Sequence, residues 1–441
     1  MNHMLDEHFY HDLKECRIQK DIGKLNALLS AINLSVFLVD SEIDELYVEV
    51  AEALTYTGQY AHAVNAWMRL ISVCGVTANP NATYKGLFAL RSLGRLDMGK
   101  ALADKCIEHG VGYFKVHREC ASIYSSLGDV PNALKHWQIS IAQNKDKSQH
   151  EMHIAMLALM RKAYNSTRNI NPGECAACLI VRNEAPYLYE WVAYYKSLGF
   201  HEIIIYDNES SDGTSDILKH LETIGIIKSF RWNDIPYVRA QFHAYEDCLT
   251  KTTCEWVAFL DADEFLNINS HETISQLIAT YDDSVGCVQV NWQNFGSSNL
   301  VKMSDDLVLE RFTYRSDQHH HINRTCKCIV RTKAAKQVDL HKFKIFEGWS
   351  RVHPNGRLYV DGAIEISTAS VAHYIVKSKE EFHRKKLKGR ATRAKQEEKF
   401  DRHTDSFFAR NDLNDYYDDT MLKKADKLKD TLSRITTHKS S

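Results

Sequence analysis

The sequence predicts an all-α helical-repeat domain over residues 1–165, then a doubly wound α/β domain over 174–376, then a basic helical extension over 377–441. Three observations predict this order. Apolar residues recur at three- and four-residue spacing through the first third, as in Leu25, Leu28, Leu29 and Ile32. The stretch Asn165 to Gly173 is polar, ends in Pro172-Gly173 and reads as a linker. Beyond it, short apolar runs alternate with amphipathic helices, the pattern of a parallel, doubly wound sheet.

The helical third carries an internal repeat. Gly58, Gly94 and Gly128 stand 36 and 34 residues apart, each between two helical stretches and each followed by a small residue: Ala63, Ala101 and Ala133. Glycine suits the end of a helix because it tolerates positive φ. The repeat resembles tetratricopeptide hairpins over roughly 45 to 145, about three repeats of the usual ~34-residue length. Such a solenoid serves either as a docking surface, for a protein partner or a second copy, or as a structural cap.

In the α/β region Cys178–Val181 predicts the first strand, ending in Arg182-Asn183-Glu184. Residues 186–198 predict a helix closed by Gly199. Ile203–Tyr206 is the second strand, ending in Asp207-Asn208, with Ser211 or Asp212 placed to cap the next helix. Ile226–Phe230 is the third, and residues 238–250 form a helix with Arg239 and Gln241 in its first turn. Trp256–Leu260 is the fourth, five apolar residues suited to a strand covered on both faces. Asp261, Asp263 and Glu264 then crowd its carboxyl end. Packing does not explain like charges there. A hard divalent cation shared with a substrate phosphate does, and a solvated acidic turn is the plain alternative. Ligands in such sheets bind beyond the carboxyl ends of the strands, where the three polar clusters meet.

Bulk properties narrow the class. The chain has 441 residues, 25% charged and with a net charge of −2, which gives no polycationic footprint for nucleic acid. No apolar run approaches the roughly 18 residues a membrane span needs, and Met1–Tyr10 lacks a signal-peptide core. Eleven cysteines without an export signal predict reduced thiols in a cytoplasm. Cys175, Cys178, Cys326 and Cys328 read as buried thiols rather than a zinc site, and His319-His320-His321 as a solvated loop. No Gly-x-Gly-x-x-Gly or Walker lysine loop is present. Phe265 stands after the acidic cluster where an aspartyl phosphotransferase needs Thr or Val.

The ordered set is Cys178-x-x-x-Arg182-Asn183-Glu184, Glu190-Trp191, Asp207-Asn208-x-Ser210-x-Asp212-Gly213-Thr214, Asp261-Ala262-Asp263-Glu264-Phe265, Asn291-Trp292-x-x-Phe295-Gly296-Ser297, and His373-Tyr374 with Ser378 and Lys386. It resembles the GT-A nucleotide-sugar glycosyltransferases, most closely the family 2-like and family 92 group, over about 175–400. The resemblance implies a GT-A domain with a doubly wound mixed sheet, and Mn²⁺ or Mg²⁺ as cofactor. It implies Asp263 as a direct metal ligand, Asp261 on the ribose or the metal, and His373 completing the metal site. It places the nucleoside at Arg182, Glu184, Asp207 and Asn208, and the rest of the donor near Arg239 and Gln241. Asn208 stands where many family 2 members carry a second acid that reads uracil.

Relatives of this kind invert at the anomeric carbon and need one general base. Glu347, Asp361 and His341 all lie in the region that builds the acceptor side. Trp292, Phe295 and Trp349 serve either to stack on a sugar or to fill the core. Residues 377–402 hold eleven Lys or Arg against five acids. That run fits a helix closing over the diphosphate, a patch facing anionic lipid or a lipid-linked acceptor, or a solvated face. The expectation is a metal-dependent inverting hexosyltransferase moving galactose, by family analogy, from a UDP-sugar to a surface-glycan or lipid-linked oligosaccharide acceptor. Its place would be the cytoplasm or the inner face of the plasma membrane. The competing reading is a scaffold whose sugar-nucleotide domain binds without turnover.

Overall fold

The computed structural model describes residues 7–144, 148, 150–235, 238–387 and 404–437. Contacts divide the chain into two units, 1–148 with 235–237, and 149–234 with 238–441.

The first unit is helical throughout its described residues, with nine helices from Glu7–Ile18 to Val130–Gln143. Gly58, Gly94 and Gly128 sit between successive helices at φ of 78°, 76° and 74°. Those left-handed turns reverse the chain, so consecutive helices pack as hairpins around one core that includes Trp67, Leu90 and Tyr124.

The second unit begins with the helix His150–Ser166, earlier than the boundary the sequence suggests. Periodicity reveals a helix but not what it packs on. Arg161 of this helix bonds Glu246 and the Ala335 carbonyl, and Asn165 donates to the Leu249 carbonyl at 3.1 Å. The polar stretch that follows is not a free linker either. Arg168 donates to the Lys251 and Thr252 carbonyls, and Asn171–Gly173 already belong to the first strand.

The main sheet has nine strands, numbered here in chain order: β1 Asn171–Val181, β2 Glu202–Asp207, β3 Lys228–Arg231, β4 Cys254–Phe259, β5 Glu264–Ile268, β6 Val285–Asn294, β7 Cys326–Arg331, β8 Ser350–Val352 and β9 Ala369–His373. Their order is β3-β2-β1-β4-β7-β6-β9-β5, with β8 beside the start of β6. The first four strands pair in parallel, as the alternation predicts. Then β7 enters antiparallel to both β4 and β6, and β9 runs parallel to β6 but antiparallel to β5. The sheet is therefore mixed, as the GT-A resemblance implies.

Alternation along β1 covers both faces. Cys175, Ala177, Leu179 and Val181 meet the helix Ala185–Ser197, whereas Ala176, Cys178 and Ile180 meet the helix Ala240–Lys251. Cys175 and Cys178 thus point to opposite sides and cannot share a metal. All eleven cysteines are free, and ten are buried. Residues 404–437 are part of this body: Met421, Leu428 and Ile435 lie in its core, and Tyr416–Tyr417 pairs with Tyr314–Arg315. Most of the basic run, residues 388–402, lies outside the described residues, as does the Lys386 side chain. Among the described residues no helix is long and apolar enough to cross a membrane.

Glu190 of the Glu190-Trp191 pair is structural. Its buried carboxylate accepts the Val308 and Leu309 amides at 2.9 and 3.3 Å, capping the short helix Val308–Arg311. Burial lifts its pKa to about 7, although the two amides favour the charged form. A raised acid pKa gives stability that is full below about 4.5 and lost as pH rises through 7. Glu190→Gln is therefore expected to flatten the fall in melting temperature between pH 5 and 8, read by thermal melts against wild type.

Candidate functional site

The parallel strands deliver their ends to one edge, and β9 brings His373 to the same place. β9 pairs β5 with His373 opposite Glu264, and the Tyr374 amide donates to the Asp263 carbonyl at 2.8 Å. The His373 Nε2 stands 3.8 Å from Asp263 Oδ1. A chain of amides sets the imidazole tautomer. Asn323 Nδ2 donates to the Asp317 carbonyl at 2.9 Å, so its Oδ1 accepts from Asn294 Nδ2 at 3.0 Å. The Asn294 oxygen is then left for His373 Nδ1 at 2.9 Å, and that nitrogen must donate. The Nε2 lone pair therefore faces Asp263. Burial holds the imidazole pKa down to about 3, so the ring is neutral. A second-sphere bond of this type is what orients a metal-binding histidine.

Asp263 also accepts from the Lys385 ammonium, which bonds the Ile375 carbonyl at 3.1 Å as well. Burial opposes the Asp263 charge, but the Lys385 ammonium holds its pKa far below the carboxylate range. Asp261 is engaged elsewhere. Its Oδ1 accepts from Gln241 at 2.8 Å and its Oδ2 from the buried Lys327 at 2.8 Å. Lys327 also reaches Glu264 at 3.2 Å. Burial lifts the Glu264 pKa to about 8, whereas the part-exposed Asp261 is kept low by Lys327, against the cost of taking it out of water. One lysine thus balances one carboxylate, and Glu264 carries a proton at neutral pH. Among the described residues no three His, Cys, Asp or Glu side chains are grouped to hold a metal ion. Of the three expected ligands, Asp263 and His373 face each other, whereas Asp261 faces Lys327 and Gln241.

The nucleoside candidates gather beside β1 and β2. Arg182 donates to the Asn208 carbonyl at 2.8 Å and to Asp234 at 2.5 Å. Asn208 Nδ2 donates to Asp234 at 3.0 Å and to the Trp232 carbonyl at 2.9 Å, and its buried Oδ1 has no donor among the described residues. Asp207 holds its own turn through the Ser210 amide at 3.1 Å and the Ser215 hydroxyl. The Glu184 amide donates to Thr214 Oγ1 at 3.0 Å, and its side chain lines a cleft of about 380 Å³ with Asn183, Tyr187, Lys377, Arg384 and Lys385. Arg239 is exposed, its guanidinium 5.7 Å from the Phe242 ring.

The three base candidates separate. His341 is half-buried, its Nδ1 on the Cys326 carbonyl at 3.1 Å. Trp292 bridges it to the site, with its ring 5.4 Å from His341 and 4.0 Å from His373. Asp361 is exposed and paired with Lys342. Glu347 is exposed just before β8, which pairs with Val285 at the start of β6, whereas His373 pairs with Asn294 at its end. Nine residues of strand put Glu347 about 30 Å from the site. Trp349 shares that far end, and Phe295 is core. His319 and His321 are exposed, as expected of a loop.

Sequence reasoning missed Lys327, Asp234, Asn294 and Lys385. Lys327 carried the one readable signal, a lysine between two cysteines of a buried strand.

The glycosyltransferase family 92 model matches residues 174–415. A family 92 protein of Ricinus communis is 28% identical over 231 residues, 48% of this chain and 37% of that protein. One of Oryza sativa subsp. japonica is 27% identical over 200 residues, 43% and 33% of the two chains. The chain thus spans about a third of the length of these relatives. A solved mannosyltransferase of Pyrobaculum calidifontis, in complex with GDP-Man and Mn²⁺, has a TM-score of 0.23 and 19% identity, covering 36% of this chain and 47% of that one.

Proposed function

The chain belongs to glycosyltransferase family 92, and from that premise we propose that it transfers a hexose from a UDP-sugar to a glycan acceptor with inversion and with help from a divalent metal. The observation that carries the reading is the convergence of Asp263 and the Nε2 lone pair of His373 at the sheet edge. A hard carboxylate oxygen beside a neutral imidazole suits Mn²⁺ more than Mg²⁺. The Lys385 ammonium on Asp263 marks the spot as one where positive charge is stable. Asp263 and His373 would hold the metal, with substrate oxygens and water filling its remaining positions. Bound there, the cation would neutralise charge gathering on the departing diphosphate.

The chain's own groups do the rest. The orphaned Asn208 Oδ1 suits a base N–H, as uracil offers. Lys377, Arg384 and Lys385, which line the cleft beside Glu184, Asp212 and Glu381, would face the diphosphate. His341 fits the general base. Its Nδ1 is tied to a carbonyl, so Nε2 bears the lone pair, and burial keeps the ring neutral. It would take the acceptor hydroxyl proton as oxygen attacks the anomeric carbon opposite the leaving group. Galactose follows family analogy alone. The helical unit is proposed to dock a protein partner or a second copy, and the cytoplasm is the proposed compartment.

The test is nucleoside diphosphate release from a panel of nucleotide-sugars with and without Mn²⁺. Mn²⁺-dependent release from a UDP-hexose is expected. No release from any donor, with no thermal shift by UDP plus Mn²⁺, overturns the reading. Asn294→Ala frees the His373 tautomer and is expected to weaken Mn²⁺ binding about 10- to 100-fold, read by titration.

A further inference from the structure

We propose, resting on the metal reading above, that Lys385 is a tethered cation that neutralises Asp263 in the empty site and passes to the donor's diphosphate on loading. Its helix, Lys379–Leu387, is fixed to the body. Glu381, one turn before Lys385, takes both nitrogens of Arg311 at 2.9 Å, the Ser378 hydroxyl at 2.5 Å and the Tyr187 hydroxyl at 3.0 Å. With the helix held, the movable part is the flexible four-carbon arm of Lys385.

That arm has two destinations. One is the Asp263 carboxylate, which needs a counter-charge because a buried unpaired carboxylate is costly. The other is the cleft of about 380 Å³ that Lys385 also lines with Lys377 and Arg384. A divalent cation and an ammonium compete for the same carboxylate and repel each other. A diphosphate removes the conflict by offering the ammonium a new anion within reach. Two positive charges on the metal and one on Lys385 then match the negative charges of Asp263 and a doubly charged diphosphate.

Lys385 therefore opposes metal binding alone and favours metal together with nucleotide. The experiment titrates Mn²⁺ without nucleotide, then UDP at saturating Mn²⁺, on wild type, Lys385→Gln, Lys385→Met and Asp263→Asn. The Met variant keeps the arm's bulk, and melting curves check both folds. Removing the ammonium is expected to tighten Mn²⁺ roughly tenfold and to weaken UDP roughly tenfold, each about one charge-assisted contact. Unchanged or weaker Mn²⁺ binding in the Lys385 variants, or unchanged UDP binding, overturns the proposal. Wild-type Mn²⁺ binding in Asp263→Asn overturns instead the metal reading beneath it.

Discussion

Asp263→Asn is expected to abolish donor turnover while leaving the protein folded. The loss should be about three orders of magnitude or more in kcat, the scale seen when charge stabilisation at a leaving group is removed. The fold should survive for two reasons. Asp263 anchors the sheet through its backbone carbonyl, which keeps the Tyr374 amide whatever the side chain is. The ammonium left behind sits on a flexible arm beside a cleft and can turn toward water. Steady-state hydrolysis of a UDP-hexose, with a melting curve alongside, checks both halves. Turnover within tenfold of wild type would remove Asp263 from the chemistry.

Lys327→Met should do the opposite and strike stability first. Lys327 is buried, as is Glu264, and its ammonium reaches both Asp261 and Glu264. Without it the part-exposed Asp261 loses its counter-charge and keeps only Gln241, and losing a charge-assisted bond of this kind costs about 1–3 kcal/mol. For a body of this size that is a fall on the order of 5 °C in melting temperature. The pH dependence has a definite sign. In the variant both carboxylates shift upward and take protons more readily, so the loss is smaller at pH 5 than at pH 8. Denaturant titrations at the two pH values measure it. A loss that is equal at both would show that Lys327 acts by packing alone.

These two lysines also mark what the sequence could and could not reveal. The parallel half of the sheet was readable because β1, β2 and β4 each carry a short apolar run with a polar end, and Ile226-Ile227 lead into β3. The second half was not. β6 buries Gln289, Asn291 and Gln293, whose partners include loop carbonyls such as those of Asn323 and Ala363. No local pattern announces such bonds. The pairing of Asp263 with His373 followed from an ordered motif set. The order of residues along the chain did not say that Lys327 would neutralise Asp261, or that Asn294 would fix an imidazole. Glu347 failed for a related reason: a loop position does not tell which end of a strand the loop will meet. Lys385 was visible only as one charge among eleven.

The insertion of β9 between β6 and β5 has a consequence for biosynthesis. β5 follows the acidic cluster directly, yet its partner in the sheet is β9, about a hundred residues later. A growing chain that has passed β4 therefore carries Asp263 on a segment with no neighbour to pair. Long-range pairing of this kind closes late and slowly. The pairing of Asp263 with His373 forms only after residues 369–373 have left the ribosome and joined β6 and β5. A chain cut short before that point has most of its sheet, with Arg182, Asn208 and Asp263, but lacks the His373 that faces Asp263.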